Sequence, residues 1–353
     1  MESASIPVRP SRSRADVARE IISKYGLIAI LLVLPVAYGI QDLQDEGSLT
    51  RLATNIKDGL SNGAIWALIA VGYTLVYGII ELINFAHGDL FMIGSFVAYS
   101  LIGTIGLTVG AGTAELFFGL LLILFITMIA TGTLNTMIER VAYRPLRNAP
   151  KLAPLITAVG FSFILQNIGL LWLGGSHRGV PDLINTQEDY VTIFGVPITH
   201  GDLLALVVTV PLFFFLINFI SRSRIGRAMR ATAQDPQAAR LMGINVDTTI
   251  SFTFLLGGLM AGAAGLIYAL YQTDVWFFSG FTAGLIAFTA AVMGGIGNIK
   301  GAILGGLIIG IIQQISDNRI GTEWTPAIVF AYLVLILVFR PQGLLGEETR
   351  EAG

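Results

Sequence analysis

The sequence has no cysteine and little charge. Asp, Glu, Lys and Arg make up 12% of the 353 residues, about half of the roughly 25% found in soluble domains. The absence of cysteine excludes disulfides, thiolate nucleophiles and cysteine metal sites. The scarcity of charge and the 54% content of hydrophobic residues indicate a polytopic membrane protein. A net charge of −2 provides no overall field for nucleic acid, so no nucleic-acid partner is expected.

Motifs for nucleotide and metal chemistry are also missing. The chain contains no G-x-x-x-x-G-K-[ST] phosphate loop, so it is not itself an ATPase. The glycine-rich stretch GGIGNIKG at 294–301 has the wrong spacing for a nucleotide and is flanked by apolar runs. His177 and His200 are far apart and have no acidic partners at ligand spacing, so neither a metal site nor a cofactor is expected in this chain.

Long apolar runs separated by polar breaks dominate the chain. A bilayer core requires about 20 helical residues, and the runs predict an all-α membrane protein with about ten transmembrane or partly membrane-embedded helices. The candidate spans are 25–40, 60–82, 88–108, 114–138, 152–174, 202–220, 249–271, 283–297, 301–316 and 326–340. The shorter ones are compatible with tilted, broken or re-entrant helices as well as with full crossings.

The basic residues predict the orientation, because Lys and Arg near span ends are retained in the cytoplasm. With both termini cytoplasmic, only Arg51, Lys57, Arg178 and Arg319 of the 21 basic residues fall outside. The N-terminal segment 1–24 is basic, and no small-residue cleavage site follows the first apolar run, so that run is expected to remain as a span. The external loop 175–201 is either a landing surface for an external partner or a solvated connector.

A polar cytoplasmic segment, 221–247, separates two of the most hydrophobic runs. Asp235 followed by Pro236 predicts a helix start, and Gly243 predicts its end after Met242. A helix this short is not stable alone, so it requires another surface that packs against it. One face is apolar and the surrounding residues are polar: Ala238, Leu241 and Met242 on the first, and Arg227, Arg230, Gln234 and Arg240 around it. Docking into a soluble partner and lying on anionic lipid headgroups both fit this pattern.

The acidic residues near the spans bear on the energy source. Carriers driven by an ion gradient usually need a carboxylate inside the membrane. Here Glu81, Asp89, Glu115 and Glu139 all fall at predicted span ends, where water or headgroups are expected to solvate them. Uphill transport by this chain would therefore draw its energy from a partner.

Some residues within the spans are candidates for packing or for a solute path. The small-xxx-small spacings that predict close helix packing involve Gly258, Gly262, Gly297, Gly301 and Gly305. Asn84 and His87 lie at a break between two spans, where they either line a solute path or satisfy freed backbone groups. Gln166 and Asn167 are adjacent in an apolar span, where polar residues line a path or form interhelical hydrogen bonds.

Four motifs in order resemble the H-type permease subunit of bacterial high-affinity branched-chain amino acid ABC importers, over about 58–346. They are GYTLVYGIIELINFAHGDLFMIGSFVAY (72–99), RVAYRPLR (140–147), SRIGRAMRATAQDPQAARLMGIN (223–245) and FTAAVMGGIGNIKGAILGGLIIG (288–310). The resemblance implies an ABC importer permease fold in the bacterial inner membrane. It also implies a second homologous permease, two cytoplasmic ATPases that bind ATP and magnesium, and an external substrate-binding protein. The segment at 223–245 would contain the helix that couples to the ATPase.

The resemblance divides the chain into four parts. These are a basic segment (1–24), an additional span with its external loop (25–56), the permease domain (57–346) and a tail (347–353), and the additional span exceeds the usual start of such permeases. Permeases for urea, short amides and ribose-like sugars share the architecture, but the INFAHG and RVAYRP forms favour amino acids. A gradient-driven carrier and a passive channel are the alternatives from other classes. Without charge inside the spans, an amino acid is expected to meet a weak, largely apolar passage and to bind tightly only in the receptor.

Overall fold

The structure is a computed structural model that describes residues 14–45, 47–147, 149–150 and 152–346. Arg9 and Arg12 of the basic N-terminal segment and the tail 347–353 lie outside these residues. The described residues form twelve α-helices: α1 (Arg14–Asp45), α2 (Thr50–Ile80), α3 (His87–Ile105), α4 (Thr113–Ile138), α5 (Leu152–Leu173), α6 (His200–Arg222), α7 (Arg224–Gln234), α8 (Pro236–Leu241), α9 (Val246–Gln272), α10 (Ser279–Gly294), α11 (Ile299–Arg319) and α12 (Thr325–Phe339). A π-helical turn, Glu139–Tyr143, and a 3-10 turn, Arg144–Leu146, follow α4.

The predicted all-α membrane fold is confirmed. Each of the ten candidate spans corresponds to one helix, α1 to α6 and α9 to α12. Among the described residues, seven helices are long and apolar enough to cross a membrane, and α10 and α12 are shorter apolar helices. Helix α1 is not among these nine. Helices α7 and α8 form the polar segment between α6 and α9.

The centre of the bundle is built from α2, α3, α9 and α11, and most of the residues of α2 and α9 are buried. Small residues allow these helices to approach closely. A Cβ atom added at Gly63 of α2 would lie 2.8 Å from the Cα atom of Leu307 in α11, and one added at Gly59 would lie 2.6 Å from that of Ile311. With no side chain between them, the two helix backbones are in direct contact.

The glycines singled out from the sequence lie in two contacts and a turn. Gly258 and Gly262 of α9 face α4, where a Cβ atom at Gly258 would lie 2.6 Å from the Thr131 carbonyl oxygen. Gly301 and Gly305 of α11 pack on α10 in the same way. Gly297 differs from the expectation, because it lies in the turn between α10 and α11 with a φ of +95°. Its role there is conformational, since residues with a side chain rarely adopt this φ.

The loop 175–201 takes part in two small antiparallel pairings. One joins β1 (Arg178–Gly179) to β4 (Asp274–Val275), and the other joins β2 (Asp189–Ile193) to β3 (Val196–Thr199) in a hairpin. The hairpin turn is Phe194–Gly195, and the Phe194 side chain is 99% exposed. The described residues contain no group of three or more metal-ligating side chains.

Helix α1 is attached to the bundle by an ion pair. Asp42 and Arg319 are both buried and bond directly to each other. The Arg319 guanidinium also lies 5.3 Å from the centre of the Tyr38 ring. The additional N-terminal helix is therefore packed as part of the bundle, against α2, α11 and α12.

Candidate functional site

The connection between α2 and α3 is folded back into the bundle. Helix α2 ends at Ile80, and Glu81 adopts a left-handed conformation with a φ of 51°. The chain is non-helical over 81–86 before α3 begins at His87. A Cβ atom at Gly72 would lie 2.1 Å from His87 Nε2 and 3.1 Å from the Gly257 carbonyl oxygen. Because Gly257 lies near the middle of α9, α3 starts well inside the membrane-spanning bundle, as in the discontinuous helices of transporters.

Asn84 fastens this break to its neighbours. Its amide donates to Asn135 Oδ1 at 3.2 Å, and its side-chain oxygen accepts from the Tyr143 hydroxyl at 3.1 Å. Asn135 in turn donates to the Phe254 carbonyl oxygen in α9 at 2.6 Å. The Asn84 side chain is buried and occupied by these bonds. In this conformation it ties the break to α4, to the π-helical turn and, through Asn135, to α9.

His87 is completely buried beside an aromatic ring. Its imidazole packs edge-on against Tyr73 with 4.9 Å between the ring centres. Neither ring nitrogen makes a hydrogen bond of acceptable geometry within the described part of the chain. His87 therefore fills space in the interior at this point, and within the described residues both of its ring nitrogens are left without a hydrogen bond.

Asp89 changes the electrostatic description of the site. We expected the carboxylates at span ends to be solvated, which is wrong for Asp89 and Glu139, because their residues are 1% and 0% exposed. Asp89 Oδ2 accepts from Ser162 Oγ at 2.5 Å, and Gln166 Nε2 donates to the same Ser162 oxygen at 3.1 Å. Ser162 lies near the middle of α5, so a carboxylate is present inside the membrane-spanning region.

A cavity of about 200 Å³ lies beside this carboxylate, between α2, α5 and α10. Its walls are mostly apolar and aromatic. They are formed by Tyr73, Phe85, Val159, Ser162, Phe163, Gln166, Gly280, Phe281, Gly284, Leu285 and Phe288. Glycines bring α10 close to α3 here, since a Cβ atom at Gly88 would lie 2.6 Å from the Gly284 Cα atom. The volume of the cavity and its mostly apolar lining suit a small amphipathic solute.

The two adjacent amides of α5 have different surroundings. Gln166 is buried and lines the cavity. Asn167 is exposed on the outer face, where its amide donates to the Phe163 carbonyl oxygen of the preceding turn at 2.8 Å. Consecutive residues of an α-helix point about 100° apart. Only the first amide therefore reaches the cavity.

The polar segment contains a second candidate site at α8. The Asp235 carboxylate accepts from the backbone N–H groups of Gln237 and Ala238 at 2.8 and 3.0 Å, which caps the helix. Gly243 follows with a φ of +81°. Leu241 and Met242 are 89% and 82% exposed, and Ala238 is also exposed. Apolar side chains displayed on a polar connecting segment form a surface suited to a protein partner.

The basic residues of this segment have structural partners. Arg230 donates to the Ile220 and Ser221 carbonyl oxygens, and Arg227 donates to that of Arg222 at 3.4 Å. These carbonyl groups belong to the last turn of α6, where cations are favoured by the helix dipole. Gln234 is exposed at the end of α7. The two arginines thus stabilise the corner between α6 and α7 and reach a partner only through their remaining donors.

Several residues at these sites were not identified from the sequence. Helix α7 was also missed, although Ser223 caps it and Met229 and Thr232 form its buried face at helical spacing. At the cavity the missed residues are Tyr73, Asp89, Ser162, Gly280 and Gly284. The spacing of Gly280 and Gly284 is a small-xxx-small signal that was available. No local pattern marks Tyr73 or Ser162, whose positions depend on the packing of separate helices.

Comparison with known proteins agrees with this architecture. The family model described as "Branched-chain amino acid transport system / permease component" matches residues 55–338. The chain is 42% identical over 293 residues to the high-affinity branched-chain amino acid transport system permease protein BraD of Pseudomonas aeruginosa, covering 82% of this chain and 94% of that protein. It is also 42% identical over 292 residues to the permease protein LivH of Escherichia coli K12, with the same coverage. The chain belongs to the family of branched-chain amino acid transport permeases, which are multi-pass membrane components of transport systems and not enzymes.

Proposed function

We propose that this chain is the membrane-spanning permease subunit of an ATP-driven importer of branched-chain amino acids. The observation that carries the proposal is the 42% identity, over most of the chain, to permeases of high-affinity branched-chain amino acid transport systems. The cavity beside the α2–α3 break supports it, because its apolar walls suit an aliphatic side chain. The absence of a phosphate loop means that ATP and magnesium are bound by partner subunits.

Helix α8 is proposed to couple transport to ATP hydrolysis. A helix of six residues does not repay nucleation in water, so it needs a packing partner. Its outward face carries Leu241 and Met242, which point away from the bundle. A groove on a soluble ATPase would bury both side chains and receive the capped helix end at Asp235.

The remaining parts of the complex follow from the same proposal. A second homologous permease, two cytoplasmic ATPases and an external substrate-binding protein complete the importer in the bacterial inner membrane. Both termini are proposed to be cytoplasmic, because this orientation leaves only Arg51, Lys57, Arg178 and Arg319 of the basic residues outside. The permease domain would comprise 57–346, preceded by the basic segment 1–24 and the additional span 25–56.

Co-purification with the ATPase subunits tests the proposal. The wild-type chain and a variant with Leu241→Glu and Met242→Glu are each expressed with the partner permease and both ATPases. Thr192→Glu, at an exposed position on the external hairpin, is the control. We expect the ATPases to be retained by the wild type and the control and lost by the α8 variant, with the permeases eluting unchanged.

Each other outcome contradicts a defined part of the proposal. If the α8 variant retains the ATPases, coupling at α8 is wrong while the importer assignment stands. Leucine uptake by the reconstituted complex is measured alongside. Uptake that follows an ion gradient and ignores ATP would replace the importer with a carrier.

A further inference from the structure

A buried carboxylate with an unsatisfied oxygen lies beside the cavity. Asp89 Oδ2 accepts the bond from Ser162, but Asp89 Oδ1 is buried and has no hydrogen-bond partner among the described residues. No Lys or Arg of the described part of the chain forms an ion pair with it. An acidic side chain inside a membrane is costly and is usually retained for function.

Gly280, which has no side chain, lies between Asp89 Oδ1 and the cavity. A Cβ atom added at Gly280 would lie 2.7 Å from Asp89 Oδ1, and Gly280 itself lines the cavity. Ser162 and Gln166 line the same side. One end of the cavity is therefore polar and adjoins a buried carboxyl group, whereas Phe163, Phe281 and Phe288 make the rest apolar. This distribution complements a small molecule that has an ammonium group and an aliphatic body.

The start of α10 provides a complement for a carboxylate. Helix α10 begins at Ser279, directly before Gly280, without a side-chain hydrogen bond to its first turn. The Ser279 hydroxyl is buried and makes no hydrogen bond to any described residue. Unbonded N–H groups and the helix dipole favour an anion at such a position.

We propose that the ammonium group of the transported amino acid lies in the cavity against Gln166 and Ser162, that Asp89, directly behind Gly280, attracts it electrostatically, and that the first turn of α10 receives the substrate carboxylate. This inference rests on the proposed function and gives its substrate a position in the membrane. It replaces the expectation of a passage without a counter-ion.

Asp89→Asn in the complete importer tests this assignment. Asparagine keeps the size of the side chain and can still accept the Ser162 bond, but it lacks the charge. Proteoliposomes containing both permeases and both ATPases receive the substrate-binding protein and labelled leucine. We expect initial uptake to fall about ten-fold or more, because the variant lacks the charge that attracts the ammonium group. ATP hydrolysis stimulated by the substrate-binding protein should stay within about two-fold of wild type, since docking occurs elsewhere.

Ser95→Ala is the matched control in the same helix, because Ser95 is equally buried but bonds only to the Met92 carbonyl oxygen. It should leave both readouts unchanged. Unchanged leucine uptake in Asp89→Asn would overturn the proposal. Loss of both uptake and ATP hydrolysis in an assembled complex would also overturn it, because Asp89 would then serve the conformational cycle.

Two further arms complete the test. Replacing sodium by choline in the assay should not change uptake, and a sodium requirement would mean that an inorganic cation occupies the Asp89 site. Should Asp89→Asn fail to assemble, Gln166→Leu probes the same pocket from α5, and normal uptake in that variant would reject the assignment. Failure of the proposed function is recognised separately, because the wild-type complex itself would then show no ATP-dependent uptake.

Discussion

The carboxylate of Glu139 is fully buried and ion-paired with the guanidinium of Arg147. Arg147 also bonds to Asp247, the second residue of α9, and the other Glu139 oxygen accepts from Ser251 Oγ at 2.6 Å. Helix α9 begins shortly after α8 ends. A chain of polar contacts therefore connects the segment after α8 with the π-helical turn Glu139–Tyr143, whose last residue bonds to Asn84 at the α2–α3 break.

Asp247→Ala should weaken the transfer of movement from α8 to the break. Asp247 is partly exposed, so its removal leaves less of a buried charge behind than removal of Glu139 would. Residues between two coupled sites typically alter the coupling by about 0.5–2 kcal/mol, which corresponds to about 2- to 30-fold. We expect leucine uptake per ATP hydrolysed to fall within this range. Glu115→Ala, at an exposed position near the start of α4, is the control. An unchanged ratio for Asp247→Ala would show that these contacts are only structural.

Variants of Gly72 and His87 distinguish a packing role of His87 from a role in the solute path. Gly72→Ala alone would place a methyl group about 2.1 Å from His87 Nε2 and should lower the melting temperature of the purified importer. Adding His87→Ala removes the clash and should restore most of the stability. If leucine uptake stays low in the stable double variant, the imidazole is needed for transport. Full recovery of uptake would assign His87 to packing.

The spans and the α8 helix were predictable because their signals are local. Apolar runs are long enough to identify each span, and Asp235, Pro236 and Gly243 determine the start and end of α8 through their own side chains and backbone angles. These features depend on residues close together in sequence. The membrane environment also favours the helical conformation of the spans, since every backbone group in the bilayer must be satisfied within its helix.

The burial of Asp89 was not predictable in this way. Its position at the start of a span suggests solvation, but residues 81–86 fold back and carry the start of α3 into the bundle. The different positions of the Gln166 and Asn167 side chains also depend on tertiary packing. Both are polar and adjacent, and only the packing of α5 against α3, with the cavity between α5 and α10, decides which one lines the cavity. Tertiary contacts between distant helices determine these features.

Gly258→Ala should destabilise the contact between α9 and α4. The added methyl group would lie about 2.6 Å from the Thr131 carbonyl oxygen, 2.7 Å from the Gly132 Cα atom and 2.8 Å from the Asn135 Cβ atom. None of these atoms can move without a shift of the α4 backbone. Overpacking of this kind costs about 1–3 kcal/mol. Gly160→Ala in α5 is the control, because nothing lies within 4 Å of its added atom. Thermal melting of the detergent-solubilised protein should show a loss for the first variant only, and equal curves would contradict the packing role.

The ion pair between Asp42 and Arg319 should behave as a unit. Asp42→Leu alone leaves a buried guanidinium without its partner, which typically costs about 3–5 kcal/mol. The double variant Asp42→Leu with Arg319→Leu removes both charges and should be close to wild type in stability. The measurement is a double-mutant cycle of thermal melting. Additive losses in the double variant would show that the two charges act independently and that α1 is held by its apolar contacts.

Phe194→Glu is expected to impair docking of the substrate-binding protein. The ring is almost fully exposed at the tip of the β2–β3 hairpin, where the turn holds it away from the bundle, and exposed aromatic side chains often anchor protein interfaces. Stimulation of ATP hydrolysis by the substrate-binding protein should require a concentration about ten-fold higher or more, which corresponds to about 1.4 kcal/mol of binding free energy. Thr192→Glu adds the same charge nearby and controls for electrostatic repulsion. If both variants shift the concentration equally, charge and not the aromatic ring governs the contact, and if neither does, the substrate-binding protein docks away from the hairpin.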